Sequence, residues 1–257
     1  MNLMTIQSNP VSPSKSVSSR RSAFTLIELL VVIGVIAALA ALTVYGLSSI
    51  AVSRKISTAK GELRDIDAAI VNYKAKYGVY PPGNGTGNTI SGLTNQLYYE
   101  LTGVSIVNVG GQNYFQTVDG SSKILVSDFN TVFGVPGVLN CTKGSGEDAL
   151  PAVNFLAGMK ANRVGLVTAA ALPNSPKYNL LITTVAGPDD AYQPVGSVGI
   201  NPFRYKAPSA TNNNADSYDL WINLSMSATN FSGATKPQNL RLISNWAKAD
   251  QKSSQMP

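Results

Sequence analysis

Residues 19–45 read SRRSAFTLIELLVVIGVIAALAALTVY, and one residue among them, Glu28, decides how the chain is understood. From Phe24 to Leu42 the stretch is apolar apart from Thr25 and Glu28. As a helix it runs about 28 Å at 1.5 Å per residue. That reaches across a hydrocarbon core of roughly 30 Å once Thr43, Val44 and Tyr45 continue the helix. Arg20 and Arg21 precede it and no cation lies within it, which orients its N-terminus to the cytoplasm. A carboxylate in such a segment is expensive. Three readings compete. One is a secretory signal with Ala38-Leu39-Ala40 as its cleavage site. Another is a twin-arginine export signal at Ser19-Arg20-Arg21, with Phe24 one place later than that signal has it. The third is a membrane-retained helix whose short leader is clipped on the cytoplasmic side. Only the third gives Glu28 a purpose.

The chain has 257 residues, of which 13% are charged, and is rich in Gly, Ser, Asn and Thr. That profile suits an extracytoplasmic protein with polar loops. Its net charge is +6, but Lys15, Arg20 and Arg21 stand in the first 23 residues with no acid. The remainder carries +3, too little to argue for nucleic-acid binding. Histidine is absent, which argues against Ser-His-Asp and Cys-His nucleophile systems, His-ligated metals and the commonest general base. The single cysteine, Cys141, makes no internal disulfide and reads as a small core residue.

Beyond the apolar stretch, Ile56, Ala59, Leu63, Ile66, Ile70, Tyr73 and Tyr77 recur at alternating steps of three and four. They form a narrow helical stripe, with Glu62, Asp65, Asp67 and several cations on the other faces. Gly78 and Pro81-Pro82 stop the helix. One helix from Phe24 to about Tyr77 is predicted, near 80 Å long. Gly83-Asn84-Gly85-Thr86-Gly87 follows a helix and lacks the Lys-Ser/Thr of a phosphate loop, so it reads as a solvated turn. Residues 93–103 predict a short helix. "NYFQTV", "KILVSDF" and "YNLLITTVA" predict strands. Asp189-Asp190 reads as an exposed turn. "NPFRYKAPS" and "SYDLWINLS" alternate with period two, predicting an antiparallel pair with one buried face.

Ala23-Phe24-Thr25-Leu26-Ile27-Glu28-Leu29 resembles the processing site of type IV prepilins and type II secretion pseudopilins. The resemblance implies cleavage by a prepilin peptidase between Ala23 and Phe24, N-methylation of Phe24, and Glu28 as the fifth mature residue. There its carboxylate can neutralise a neighbouring subunit's amine inside a low-dielectric helix bundle and fix register. "AIVNYKAKYGVYPPGNGTG", through Tyr73, Gly78, Tyr80 and Pro81, resembles the helix end of the G-type major pseudopilin. Asn201-Pro202-Phe203-Arg204-Tyr205, Tyr218-Asp219-Leu220-Trp221 and Ile243-Ser244-Asn245-Trp246 are similar to that family's ending, in order. The family holds calcium in this last region, yet Leu220–Ala249 contains no Asp or Glu, so no structural calcium or other metal or cofactor is expected.

The resemblance implies an α+β, pilin-like fold, with a long N-terminal transmembrane helix packed on a small antiparallel sheet. It divides the chain into a cleaved leader (1–23), a membrane helix (24–45), the periplasmic half of that helix (46–80), an enlarged variable region (81–200), C-terminal strands (201–246) and a tail (247–257). It implies a non-enzymatic inner-membrane subunit with a periplasmic head. Its partners would be further copies of itself in a filament, other pseudopilins, a prepilin peptidase and an assembly platform with its cytoplasmic ATPase, but not nucleic acid. A type IV pilus subunit for adhesion or DNA uptake is the alternative, with Arg204, Tyr205 and Lys206 its only modest basic-aromatic patch. A membrane-anchored binding domain or enzyme is a third reading.

Overall fold

The computed structural model describes residues 25–84, 93–144, 146–170, 172, 174–185, 195, 199–225, 240–246 and 251–252, with backbone alone at 42–49, 51, 147, 225, 240, 251 and 252. The chain divides into two units, Met1–Ser49 and Ile50–Pro257. The described residues of the first unit are Thr25 and the opening of helix α1, which runs Leu26–Tyr77. The first unit's large apolar side chains from Leu26 to Leu39 are all exposed, Val32 least at 49% and Leu26 most at 82%. Described side chains in this stretch end at Ala41. Among the described residues no helix is long and apolar enough to cross a membrane.

In the second unit the predicted stripe is realised. Ala59, Leu63, Ile66, Ile70 and Tyr73 are buried, joined by Ala69, with Ile56 and Tyr77 half-buried at its ends. The helix stops where the sequence places its stop. Gly78 takes φ +77°, a left-handed conformation that glycine adopts without strain, and its N–H donates to the Lys74 carbonyl at 2.8 Å.

Helix α2 (Leu97–Thr102) is buried at every residue. β1 (Val104–Val109) and β2 (Gln112–Thr117) form a hairpin through Gly110-Gly111, both at positive φ, which is the two-residue turn whose twist matches the strands. β3 (Lys123–Leu125) adds to β2 and runs straight into α3 (Val126–Phe133). "KILVSDF" is therefore only half strand. Phe129, Val132 and Phe133 fall at helical spacing and are buried, and Gly134 closes the helix in a left-handed conformation.

β4 (Val164–Thr168) pairs with β5 (Lys177–Leu181) as a separate hairpin. β6 (Arg204–Lys206), β7 (Asp219–Ser225), β8 (Leu240–Ser244) and β9 (Gln251–Lys252) form a four-stranded antiparallel sheet in that order. β9 lies in the segment read as a tail, and β1 and β4 had no counterpart in the sequence reading. The β6–β7 pair is antiparallel as predicted, but β7 does not have one buried face. Tyr218, Leu220, Ile222 and Leu224 are buried, and so are Asp219 and Trp221 on the other side. Asp219 is covered by the Asn-rich loop before the strand. Trp221 is covered by Trp246, with ring centroids 5.6 Å apart. One contiguous apolar core joins the α1 stripe to α2, α3 and residues from all three sheets. The chain is thus α+β, a leading helix with antiparallel sheets, an arrangement compatible with a pilin-like fold.

Candidate functional site

Helix α1 begins with a sequence signal visible in Thr25-Leu26-Ile27-Glu28. Thr25 Oγ1 accepts the Glu28 N–H at 3.3 Å, while Glu28 Oε2 accepts both the Thr25 N–H and the Thr25 hydroxyl at 2.8 Å. This is a capping box, with Thr at the N-cap and Glu three residues on, and it satisfies two donors the helix start would leave unpaired. Glu28 thus has a structural duty within its own chain. The sequence reading missed it by weighing Glu28 only against hydrocarbon. Its other oxygen, Oε1, accepts no hydrogen bond from a described residue. Ala23 and Phe24, the predicted cleavage pair, lie outside the described residues.

The far end of α1 is held by polar residues placed among its apolar stripe. Glu62, read as a surface residue, is 8% exposed. Its carboxylate accepts the hydroxyls of Thr183 and Thr184, both at 2.5 Å, and the Thr184 N–H at 3.1 Å. Its position was legible in principle, since it lies three residues after Ala59 and four before Ile66. Beside it, Arg163 donates to the Glu62 carbonyl and to the Asp65 carboxylate, each at 2.6 Å. Asp65 is largely exposed, so the ion pair itself contributes little.

Glu100, on α2, is completely buried. Leu139 N–H donates to its Oε1 at 2.9 Å, while the Tyr73 hydroxyl (2.8 Å) and Asn140 N–H (3.1 Å) donate to Oε2. Burial outweighs these donors and pushes its carboxyl above the ordinary range. Asn140 completes the junction. Its side chain donates to the Glu100 and Val153 carbonyls and accepts from Val153 N–H and the Tyr77 hydroxyl. Burial, then the nearby Glu100, push the Tyr73 phenol far upward. The Cys141 thiol is also pushed up by burial, which makes it a poor nucleophile.

The C-terminal residues that carry the resemblance meet in one place. Tyr205 pairs with Leu220, and its hydroxyl donates to the Pro81 carbonyl at 2.7 Å. Asn245 bonds Leu220 in both directions at 3.0 Å and donates its amide to the Tyr218 carbonyl. Tyr218 donates to Asp67 on α1 at 2.5 Å and packs edge-on to Tyr80 at 5.0 Å. Lys74 Nζ sits 4.0 Å from the Tyr80 ring centre. The sheet therefore grips the last turns of α1 through side chains spread over the C-terminal third of the chain. Arg204 and Lys206 both lie on β6, with Lys206 Nζ 5.6 Å from the Trp221 ring.

Asp219 accepts the Asn213 and Asn214 N–H groups and the Asn213 amide at 2.8–2.9 Å, so its carboxylate is spent on closing the 207–218 loop. Among the described residues no group of three His, Cys, Asp or Glu side chains could hold a metal ion. Asp189-Asp190 and the loop between β7 and β8 lie outside the described residues.

Residues 18–44 match the family model of the prokaryotic N-terminal methylation motif. Comparison of the chain with curated proteins and with solved structures gives no match. The matched motif is of prepilin type. It supports a type IV pilin-like or pseudopilin chain, a substrate of prepilin peptidase with a membrane-anchored N-terminus that assembles with pilin-like subunits, and it suggests a structural subunit in place of an enzyme.

Proposed function

We propose that the protein is a pseudopilin of a type II secretion system, cleaved between Ala23 and Phe24, methylated on Phe24, and polymerised through its N-terminal helix into a short periplasmic filament that supports protein export. The observation carrying this reading is the start of α1. A prepilin-type motif opens a helix whose apolar side chains from Leu26 to Leu39 all face outward, with a single acid, Glu28, one turn in. Surface of that kind needs lipid or neighbouring helices to cover it. Residues 24–45 form the membrane anchor before extraction, with the N-terminus cytoplasmic, residues 46–80 the periplasmic half of the helix, and residues 81–246 the head. An assembly platform with its cytoplasmic ATPase extracts the subunit, and other pseudopilins share the filament.

Glu28 has one oxygen committed to the capping box and another open to a neighbour's Phe24 amine. The carboxylate can thus cap its own helix and still neutralise an adjacent chain end. The C-terminal grip on Tyr80-Pro81, built from the residues that resemble the G-type ending, favours the secretion assignment over a surface pilus.

Mass spectrometry of the protein purified from its native membranes tests the reading. A chain starting at N-methylated Phe24 is expected. A chain starting at Ala41 identifies an ordinary signal peptide and overturns the proposal. Deleting the gene then separates secretion from a pilus role: loss of exported proteins with surface filaments intact is the secretion outcome.

A further inference from the structure

One cavity in the head is independent of how the N-terminal helix is used. It holds about 290 Å³, at the lower end of small-molecule pockets, which run from roughly 300 to 1,000 Å³. Its floor is the end of α2, where Tyr98 and Thr102 are buried. Three neighbouring segments are each pinned to that end. Val118 N–H donates to the Gly103 carbonyl at 3.0 Å, Phe155 N–H to the Leu101 carbonyl at 2.8 Å, and Asn179 N–H to the Tyr99 hydroxyl at 3.0 Å. These segments set Asn154 and Asn179, both half-buried, into the walls, and leave Asp119, Ser121 and Lys160 on an exposed rim.

Hydrogen-bonding capacity goes unused around this space. Asn154 Oδ1 accepts the Leu156 N–H at 2.8 Å, and Asn179 Oδ1 accepts the Ser122 hydroxyl at 2.5 Å. Each amide thus has its oxygen engaged, while its NH2 group bonds no described residue. Thr102 Oγ1 on the floor has no partner either, although a threonine in a helix ordinarily donates to the carbonyl four residues back. Lys160 has no ion-pair partner among the described residues. One ordered water cannot serve all of these groups, and the cavity has room for several at about 30 Å³ each.

The lining also selects the chemistry of an occupant. The rim carries one acid, Asp119, and one base, Lys160, so it favours neither anions nor cations. Leu156, Met159 and Val164 add an apolar patch beside the amides and hydroxyls. Such a surface suits a small ring with hydroxyls around its edge and C–H groups on its faces. We propose that this cavity binds one neutral pyranose unit, its hydroxyls bonded to Asn154 and Asn179 and its C–H face resting on Leu156 and Met159. The unit arrives either as a free sugar or as the exposed end of a glycan chain.

The test uses the full-length chain in dodecylphosphocholine micelles, a detergent without a sugar headgroup. D-glucose, D-galactose, D-mannose and N-acetyl-D-glucosamine are titrated by ligand-observed saturation-transfer NMR, followed by maltotriose and chitotriose. At least one monosaccharide should bind in the millimolar range and slow hydrogen exchange in residues 118–122 and 154–164. Asn154→Ala should weaken that binding roughly three- to tenfold. Ala161→Trp, at the exposed rim, should abolish it, and both variants should keep native circular dichroism. A trimer that binds more tightly than its monomer identifies a glycan end, and a monomer that binds as well or better identifies a free sugar. No sugar bound by the natively folded chain, binding indifferent to both substitutions, or a response to inorganic phosphate or L-serine in place of sugar would each overturn the proposal. None of these readouts depends on cleavage at Phe24.

Discussion

The two ends of α1 handle apolar surface in opposite ways. From Leu26 to Leu39 the helix is apolar on every side, and its large side chains are exposed. From Ile56 to Tyr77 the apolar residues narrow to a stripe that is buried, and the stripe's margins carry polar anchors: Glu62 receives Thr183 and Thr184, Asp67 receives Tyr218, and Tyr73 reaches Glu100. One periodicity asks for neighbours all round, the other for a single partner surface. The same kind of residue, an acid in an apolar setting, serves both. At Glu28 it caps a helix start, and its second oxygen accepts no hydrogen bond from a described residue. At Glu62 and Glu100 every role is internal.

The contrast breaks most sharply at Glu28. Glu28→Ala is expected to abolish filament formation, seen by electron microscopy of sheared or overexpressed filaments, while thermal unfolding of the head by near-UV circular dichroism is unchanged. A parallel loss of head stability would mean that the two ends of the helix are not energetically separate. The largest effect on the head itself should come from Glu100→Ala. It strands Tyr73 Oη and the Leu139 and Asn140 N–H groups without a partner, a cost of roughly 3 kcal/mol or more in denaturant unfolding. Glu100→Gln retains size but turns an NH2 toward one former donor, so about 1–2 kcal/mol is expected.

The pH dependence sharpens the same site. A carboxyl whose folded pKa lies above its unfolded one binds more protons folded than unfolded between the two values. Its contribution to stability is then fully present below the unfolded value, about 4.3, and is lost as pH climbs through the raised one. Glu100 thus makes the wild-type head relatively more stable at pH 5 than at pH 8. Melting temperatures at the two pH values should converge in Glu100→Gln relative to wild type. A smaller effect is expected at the exposed margin. Arg163→Met loses the bond to the Glu62 carbonyl and an ion pair with a mostly solvated Asp65, about 1 kcal/mol by chemical denaturation.

The parts of this molecule that were readable from sequence are those governed by neighbours in the chain. The α1 stripe, its glycine stop at Gly78, the α2 helix and the β6–β7 pair follow from local spacing and turn chemistry, and the structure shows them. "KILVSDF" was misread because three β-favouring residues precede a helix whose buried set, Phe129, Val132 and Phe133, extends beyond the window that suggested a strand. β7 was misread as half-exposed because Trp246, which covers Trp221, comes only after the next strand, and because the alternation count took no account of the preceding loop, whose Asn213 and Asn214 close over Asp219. At the candidate site, Glu28 stands out because an acid in a long apolar run violates composition. Glu62 is marked only by its spacing to Ala59 and Ile66, and Glu100 not at all, because an acid on a mixed helix violates nothing in composition until the surrounding chain closes over it.

Sequence alone therefore carried the N-terminal motif: Arg20-Arg21, a small residue before Phe24, an acid at Glu28 and the apolar run, contiguous residues that the prepilin-type match spans, whereas the Thr25–Glu28 cap became visible only with the helix in place. Only the tertiary structure decided which polar residues become buried anchors and which segments gather around a cavity. Burial of Glu100 depends on Tyr73 and Asn140, 27 and 40 residues away, and the cavity at the end of α2 depends on the β2–β3 turn, residues 154–164 and β5 all meeting there. Those outcomes are sums of long-range contacts, and no local pattern encodes them.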